Sequence, residues 1–111
     1  MNFLQNKINL NVQFNKALLE VVDEALLVLG ETVKQAIYWH LENKYNIKKE
    51  EIPNKIEEFN KALKNLFGEG GEILLRLITK RLYAKINLEF KEVSNWIFQD
   101  YIENAKKSFN I

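Results

Sequence analysis

The amino-acid sequence predicts an all-α fold, a compact bundle of about five helices, with an extended N-terminal arm as its one departure. Three observations carry that expectation. Apolar residues recur three and four apart through most of residues 15–107, the spacing that lines one face of a helix. Punctuation falls where those runs break: Gly30 and Gly68 stand where a helix would exit through a left-handed residue, and Thr32-x-x-Gln35 and Asn54-x-x-Glu57 have the form of capping boxes. The connectors are short, which favours antiparallel neighbours packed on one core.

Residues 8–14 (Ile-Asn-Leu-Asn-Val-Gln-Phe) alternate apolar and polar, the period of a half-buried strand. No second convincing run of that kind exists to pair with it. An extended arm, a strand pairing with its own copy in a dimer, and an extra turn or two of the first helix are all open. The alternation favours an arm or strand over residues 1–14, followed by a single helical domain over 15–111.

The first helix is expected over residues 15–29, with Leu18, Val21, Val22, Ala25, Leu26 and Leu29 on one face and Glu20, Asp23 and Glu24 on the other. Leu27 falls among those acids. Gly30 ends it, and a second helix runs from Thr32 to about Tyr45, with Asn46 as its C-terminal cap. Residues 47–53 form a connector with one helical turn around 49–51, and Pro53 biases Ile52 to an extended conformation. Helix three, over 55–67, is the cleanest amphipath: Ile56, Phe59, Ala62, Leu63, Leu66 and Phe67 oppose Glu57, Lys61, Lys64 and Asn65. Helix four follows GEGG over 72–86, and helix five covers 91–107.

At 111 residues the chain is one domain with one core. Sixteen basic against fifteen acidic side chains leave +1, so no overall field draws it to nucleic acid or an anionic membrane. Without cysteine there is neither a disulfide framework nor thiol chemistry, which suits the cytoplasm. No apolar run nears the ~20 residues that span a bilayer, and the start, MNFLQNKINLNVQF, lacks the continuous apolar stretch of a signal peptide. A cytoplasmic protein without a membrane partner is expected.

Within residues 18–83 the pieces Leu29-Gly30-Glu31, Ala36-Ile37-Tyr38 and His40-Leu41-Glu42 are followed by Glu50-Glu51-Ile52-Pro53, Phe59, Ala62-Leu63, Phe67-Gly68, Gly70 and Leu82-Tyr83. In order and spacing this stretch resembles the fifth group of Nitrosopumilus output domains, small archaeal helical domains. The resemblance implies an all-helical output or interaction module in archaeal signal transduction, with no established activity and no catalytic residue to carry over. This chain departs from that pattern at Gly71-Glu72, where an Ala tends to follow the second glycine, which weakens the close approach expected there. The arm and helix five lie outside the match.

The residues offer little chemistry. His40 is the only histidine, and the positions three and four away are Ala36, Ile37, Asn43 and Lys44, so it lacks a local metal-ligand partner. It is expected at the edge of the apolar face with one ring nitrogen hydrogen-bonded. Adjacent carboxylates such as Glu57-Glu58 point in different directions on a helix and suit its positive N-terminus. Gly68-Glu69-Gly70-Gly71 lacks the preceding strand and following cation of a phosphate loop. No catalytic residue, metal or cofactor is expected, and the chain reads as non-enzymatic.

Two features point to partners. Arg76, Lys80, Arg81 and Lys85 make helix four the most basic element, and Arg76 and Lys80 share a face with Tyr83, a combination that can grip phosphates and stack a base. The same helix is apolar on two sides: Leu74, Leu75, Ile78, Leu82 and Ile86 on one arc, Ile73, Leu77 and Ala84 on another. Such a helix either sits centrally or buries one side against another molecule. Trp39, Trp96 and Leu27 lie off the apolar faces of their helices, and tryptophan is enriched at binding hot spots. Leu27, Trp39, Ile73, Leu77 and Trp96 are therefore the expected interface of a homodimer or a complex with another, unidentified protein. The alternative is a small nucleic-acid-associated regulator contacting its ligand through Arg76, Lys80, Arg81 and Lys85.

Overall fold

A computed structural model describes residues 3–109, and within them every regular element is helical. Helices α1 (Phe3–Leu27), α2 (Glu31–Tyr45), α3 (Ile56–Phe67), α4 (Glu69–Lys85) and α5 (Phe98–Lys107) follow in order, with a 3-10 segment, Lys49–Asn54, between α2 and α3. The all-α bundle of about five helices is therefore the observed fold. Helix α4 is its centre and packs against α1, α3 and α5, while α2 and the 3-10 segment close over α1. Phe14, Leu18, Val21, Val22, Ala25 and Leu26 carry α1 into the core. They meet Leu74, Leu75, Ile78 and Leu82 of α4, Phe59, Ala62 and Leu63 of α3, and Phe98, Ile102 and Ala105 of α5 in one cluster.

The chain reversals use local chemistry. Gly30 and Gly68 have φ of 100° and 56°, and Asn46, at φ 58°, caps α2 by donating its N–H to the Leu41 carbonyl. Gly71 matters for a different reason. A Cβ there would lie 2.6 Å from the Leu63 carbonyl oxygen, so its missing side chain lets α3 and α4 approach backbone to backbone. The departure from the resembling family's pattern at Gly71-Glu72 thus does not weaken the close approach, because Gly71 itself makes it.

Three sequence expectations are corrected. Residues 3–14 are neither arm nor strand but the first turns of α1; Met1 and Asn2 lie outside the described residues. A lone strand would leave its backbone groups unpaired, whereas a helix satisfies them internally. Phe14 takes its place with Leu18 in the core, while Leu4, Ile8 and Val12 stand exposed.

The capping boxes at Thr32 and Asn54 do not form. The cap residues are Gly30 and Lys55, neither with a side-chain bond, and Thr32 lies inside α2. Carboxylates reach back elsewhere: Glu51 accepts the Lys48 N–H at 2.8 Å and Asp100 the Ile97 N–H at 2.8 Å.

Helix five begins at Phe98, not at 91. Asn87 and Asn95 are left-handed, and residues 88–97 form an irregular strap across α4. Its anchor is Phe90, edge-on to Tyr83 and stacked on Tyr101, each with ring centroids 5.5 Å apart.

Candidate interaction surfaces

The basic residues of α4 are already engaged within the chain. Lys85 bridges Glu20 and Glu24 of α1 at 2.8 and 3.1 Å, and Arg81 reaches Glu24 at 3.4 Å. The hydrogen bond from Lys85 lowers the Glu20 pKa, and Glu20 and Glu24 in return raise that of Lys85. Arg76 pairs with Glu92 of the strap, and both Arg76 and Lys80 lie over the Phe90 ring, 6.0 and 5.7 Å from its centroid. Tyr83 is buried and donates its hydroxyl to the Tyr101 carbonyl at 2.7 Å, so it presents no ring for a base to stack on. Arg76, Lys80, Arg81 and Lys85 thus tie α4 to its neighbours.

These ion pairs also fix a register. Glu20 with Lys85 and Glu24 with Arg81 are successive rungs of an antiparallel ladder, four residues per step on each helix. One further step sets Val28 level with Leu77, and Ile73 lies a turn beyond. Leu27 and Val28 are exposed, Leu77 is half-buried, and Ile73 is 71% exposed, so the ladder passes into an uncovered apolar seam. Three expected interface residues, Leu27, Ile73 and Leu77, therefore share one surface. Of the second apolar arc of α4, Ile73 and Ala84 are exposed while Leu77 packs half-buried against the core.

The tryptophans do not join that seam. Trp96 belongs to the strap and packs edge-on to Tyr101, 5.1 Å between centroids. It walls a cavity of about 150 Å3 that is lined also by Phe90, Phe98, Tyr101, Leu75 and Thr79. Trp39 is 61% exposed on the outer face of α2, edge-on to His40. The Nδ1 of His40 is buried without a hydrogen-bond partner among the described residues.

Asp23 organises the junction of α1, α2 and the 3-10 segment. Its carboxylate accepts hydrogen bonds from Tyr38 at 3.0 Å and from Lys34 and Lys49 at 3.2 Å each. Burial acts to raise its pKa, but these three donors outweigh burial and hold it below the ordinary value. Burial and the adjacent Asp23 push the Tyr38 hydroxyl upward. Four polar groups satisfy one another here, which suits a structural staple. Among the described residues no cluster of His, Cys, Asp or Glu could hold a metal ion, and no helix is long and apolar enough to cross a membrane.

A further uncovered apolar feature was not among the expected sites. Leu4, Ile8 and Val12, at four-residue spacing on the outer face of α1, are 64, 52 and 62% exposed. The stripe runs into an open groove of about 630 Å3 that follows Val12, Asn15, Lys16, Leu19, Glu20 and Asp23, with Lys49 as its far wall. Its signal is present in the sequence as the spacing of residues 4, 8 and 12, masked by the alternation of residues 8–14. No family model matches the chain, nor does any curated protein or solved structure.

Proposed function

We propose that this chain is a non-enzymatic protein–protein interaction module that acts as a homodimer, with a signalling output role suggested by its resemblance to the archaeal output domains. The observation that carries the interaction reading is the uncovered outer face of α1. Leu4, Ile8 and Val12 give three successive turns of exposed apolar surface that leads into a groove. Contiguous apolar surface of this kind marks interaction sites, whereas scattered apolar residues do not. The seam of Leu27, Val28, Ile73 and Leu77 offers a second, separate surface for another protein.

Nucleic-acid binding draws no support from the geometry. Arg76, Arg81 and Lys85 hold Glu92, Glu24 and Glu20, and a phosphate would have to displace those carboxylates. Light scattering on a sizing column tests the homodimer. Tens of micromolar protein should elute at twice the 13.1 kDa chain mass. A single-chain mass at every concentration would remove the homodimer.

A further inference from the structure

We infer that the cavity beneath the strap is a binding site for a small aromatic carboxylate. One six-membered ring lies among Phe90, Trp96, Phe98 and Tyr101, and its carboxylate meets Lys80 at the mouth. The site is separate from the apolar surfaces described above and does not depend on the oligomeric state.

Size sets the ligand class first. The cavity holds about 150 Å3. Pockets for drug-sized ligands run to about 300–1,000 Å3, so a nucleotide or a polycyclic ligand does not fit. An apolar cavity of about 150 Å3 accommodates a single benzene ring. Phe90, Trp96, Phe98 and Tyr101 all line this one, and aromatic rings pack favourably on each other edge-to-face or offset.

The walls are formed in advance. Tyr101 stacks on Phe90 at 5.5 Å and meets Trp96 edge-on at 5.1 Å, and Phe98 packs on Phe59 at 6.2 Å between centroids. The Tyr101 hydroxyl accepts the Val93 N–H at 3.1 Å, which pins the strap to α5. A ligand entering such a frame orders little of the protein, and preorganisation of that kind favours binding.

The polar groups place the ring inside and the charge outside. Thr79 lines the cavity but donates its hydroxyl to the Leu75 carbonyl at 2.8 Å, and the Tyr101 hydroxyl faces the Val93 backbone. Neither offers a free donor, so a carboxylate in the interior would go unpaired. The charges stand on the exposed side of α4. Glu72 is held by Lys64 at 2.7 Å, and Arg76 is shared with Glu92. Lys80 differs: its ammonium lies 5.7 Å from the Phe90 centroid and has no carboxylate partner among the described residues. Arg76, 6.0 Å from the same centroid, adds a second positive charge on that side. Aromatic walls alone would attract a cation. Two cations over one wall reverse that preference and select an anionic head group.

Trp39→Phe leaves Trp96 as the sole tryptophan, so its fluorescence reports on the cavity in the full-length chain. Sodium benzoate, with about nine non-hydrogen atoms, should change that emission saturably with a dissociation constant on the order of 0.1–1 mM. Lys80→Gln should weaken benzoate roughly tenfold and leave neutral benzyl alcohol unchanged. Thr79→Met, which fills the cavity, should abolish the benzoate response while the circular dichroism spectrum stays helical. Should Thr79→Met fail to fold, nuclear Overhauser contacts from the benzoate ring protons to the Trp96 indole and the Thr79 methyl in the wild-type protein carry the same test, and their absence overturns the site. No saturable response up to about 10 mM benzoate also overturns it. Benzylamine binding more tightly than benzoate overturns the choice of a carboxylate. A response retained in folded Thr79→Met overturns the placement in this cavity.

Discussion

Two neighbouring glycines should respond to the same substitution with opposite signs. Gly70 and Gly71 both lie in the first turn of α4 with ordinary helical φ, where alanine is preferred over glycine by up to about 1 kcal/mol. A Cβ at Gly70 would meet only the Phe67 Cβ at 3.5 Å, an ordinary contact. Gly70→Ala should therefore stabilise the protein by about 0.5 kcal/mol. A Cβ at Gly71 would lie 2.6 Å from the Leu63 oxygen, 2.9 Å from its carbon and 3.0 Å from the Lys64 Cα, all backbone atoms that cannot rotate away. Helices α3 and α4 would have to separate, opening the packing of Leu63 against its neighbours. Overpacking of this kind costs about 1–3 kcal/mol, so Gly71→Ala should lose roughly 1–2 kcal/mol after the helix-propensity gain. Urea unfolding at one fixed protein concentration measures both variants, the fixed concentration holding the dimer equilibrium constant. Gly71→Ala as stable as wild type would refute the close approach of α3 and α4.

Gly68→Ala should cost about 1 kcal/mol or more, because φ 56° with ψ −127° suits glycine alone, whereas Glu69→Ala should change little by the same urea assay. Asp23→Asn should cost roughly 1 kcal/mol, a value discounted because its ion pairs are partly exposed. Because the folded Asp23 pKa is lowered, its stabilisation is present above the ordinary value of 3.8 and is lost as pH falls through the lower folded value. Acid titration of thermal stability should therefore show a shallower low-pH limb in Asp23→Asn. Lys85 has the opposite sign: its raised pKa gives stabilisation that is present below 10.5 and fades as pH rises through the folded value. Trp39→Ala should change stability by less than about 0.5 kcal/mol, as surface substitutions usually do, whereas Trp96→Ala should cost more, since it removes a wall of the aromatic cavity; thermal melts separate the two. Wild-type protein should give no gel shift with nucleic acid even at low salt.

What could be read from the sequence was local. Gly30, Asn46 and Gly68 each turn the chain through a left-handed residue, and such positions announce themselves by residue type. Helices two to four were legible between them. Residues 8–14 were not, because an alternating pattern also places every fourth residue apolar, and only the want of a partner strand excludes the extended form. The start of helix five was hidden for a tertiary reason. Val93, Trp96 and Ile97 have helical spacing, but Phe90 docks between Tyr83 and Tyr101 and holds the strap across α4. Of the expected interface, Leu27, Ile73 and Leu77 converge because Glu20–Lys85 and Glu24–Arg81 set the α1–α4 register, a pairing that no local pattern reveals. The same pairs quieten the basic helix.

The central claim, that the chain acts as a homodimer through the uncovered outer face of α1, is tested most directly by amide hydrogen exchange across residues 5–13. If the contact forms, these amides should exchange slowly at high protein concentration and lose protection on dilution below the dimer dissociation constant, while the amides of Leu75 to Leu82 in the core stay protected throughout. Fast exchange across 5–13 at a concentration where the mass is that of two chains would contradict the account and place the dimer contact elsewhere.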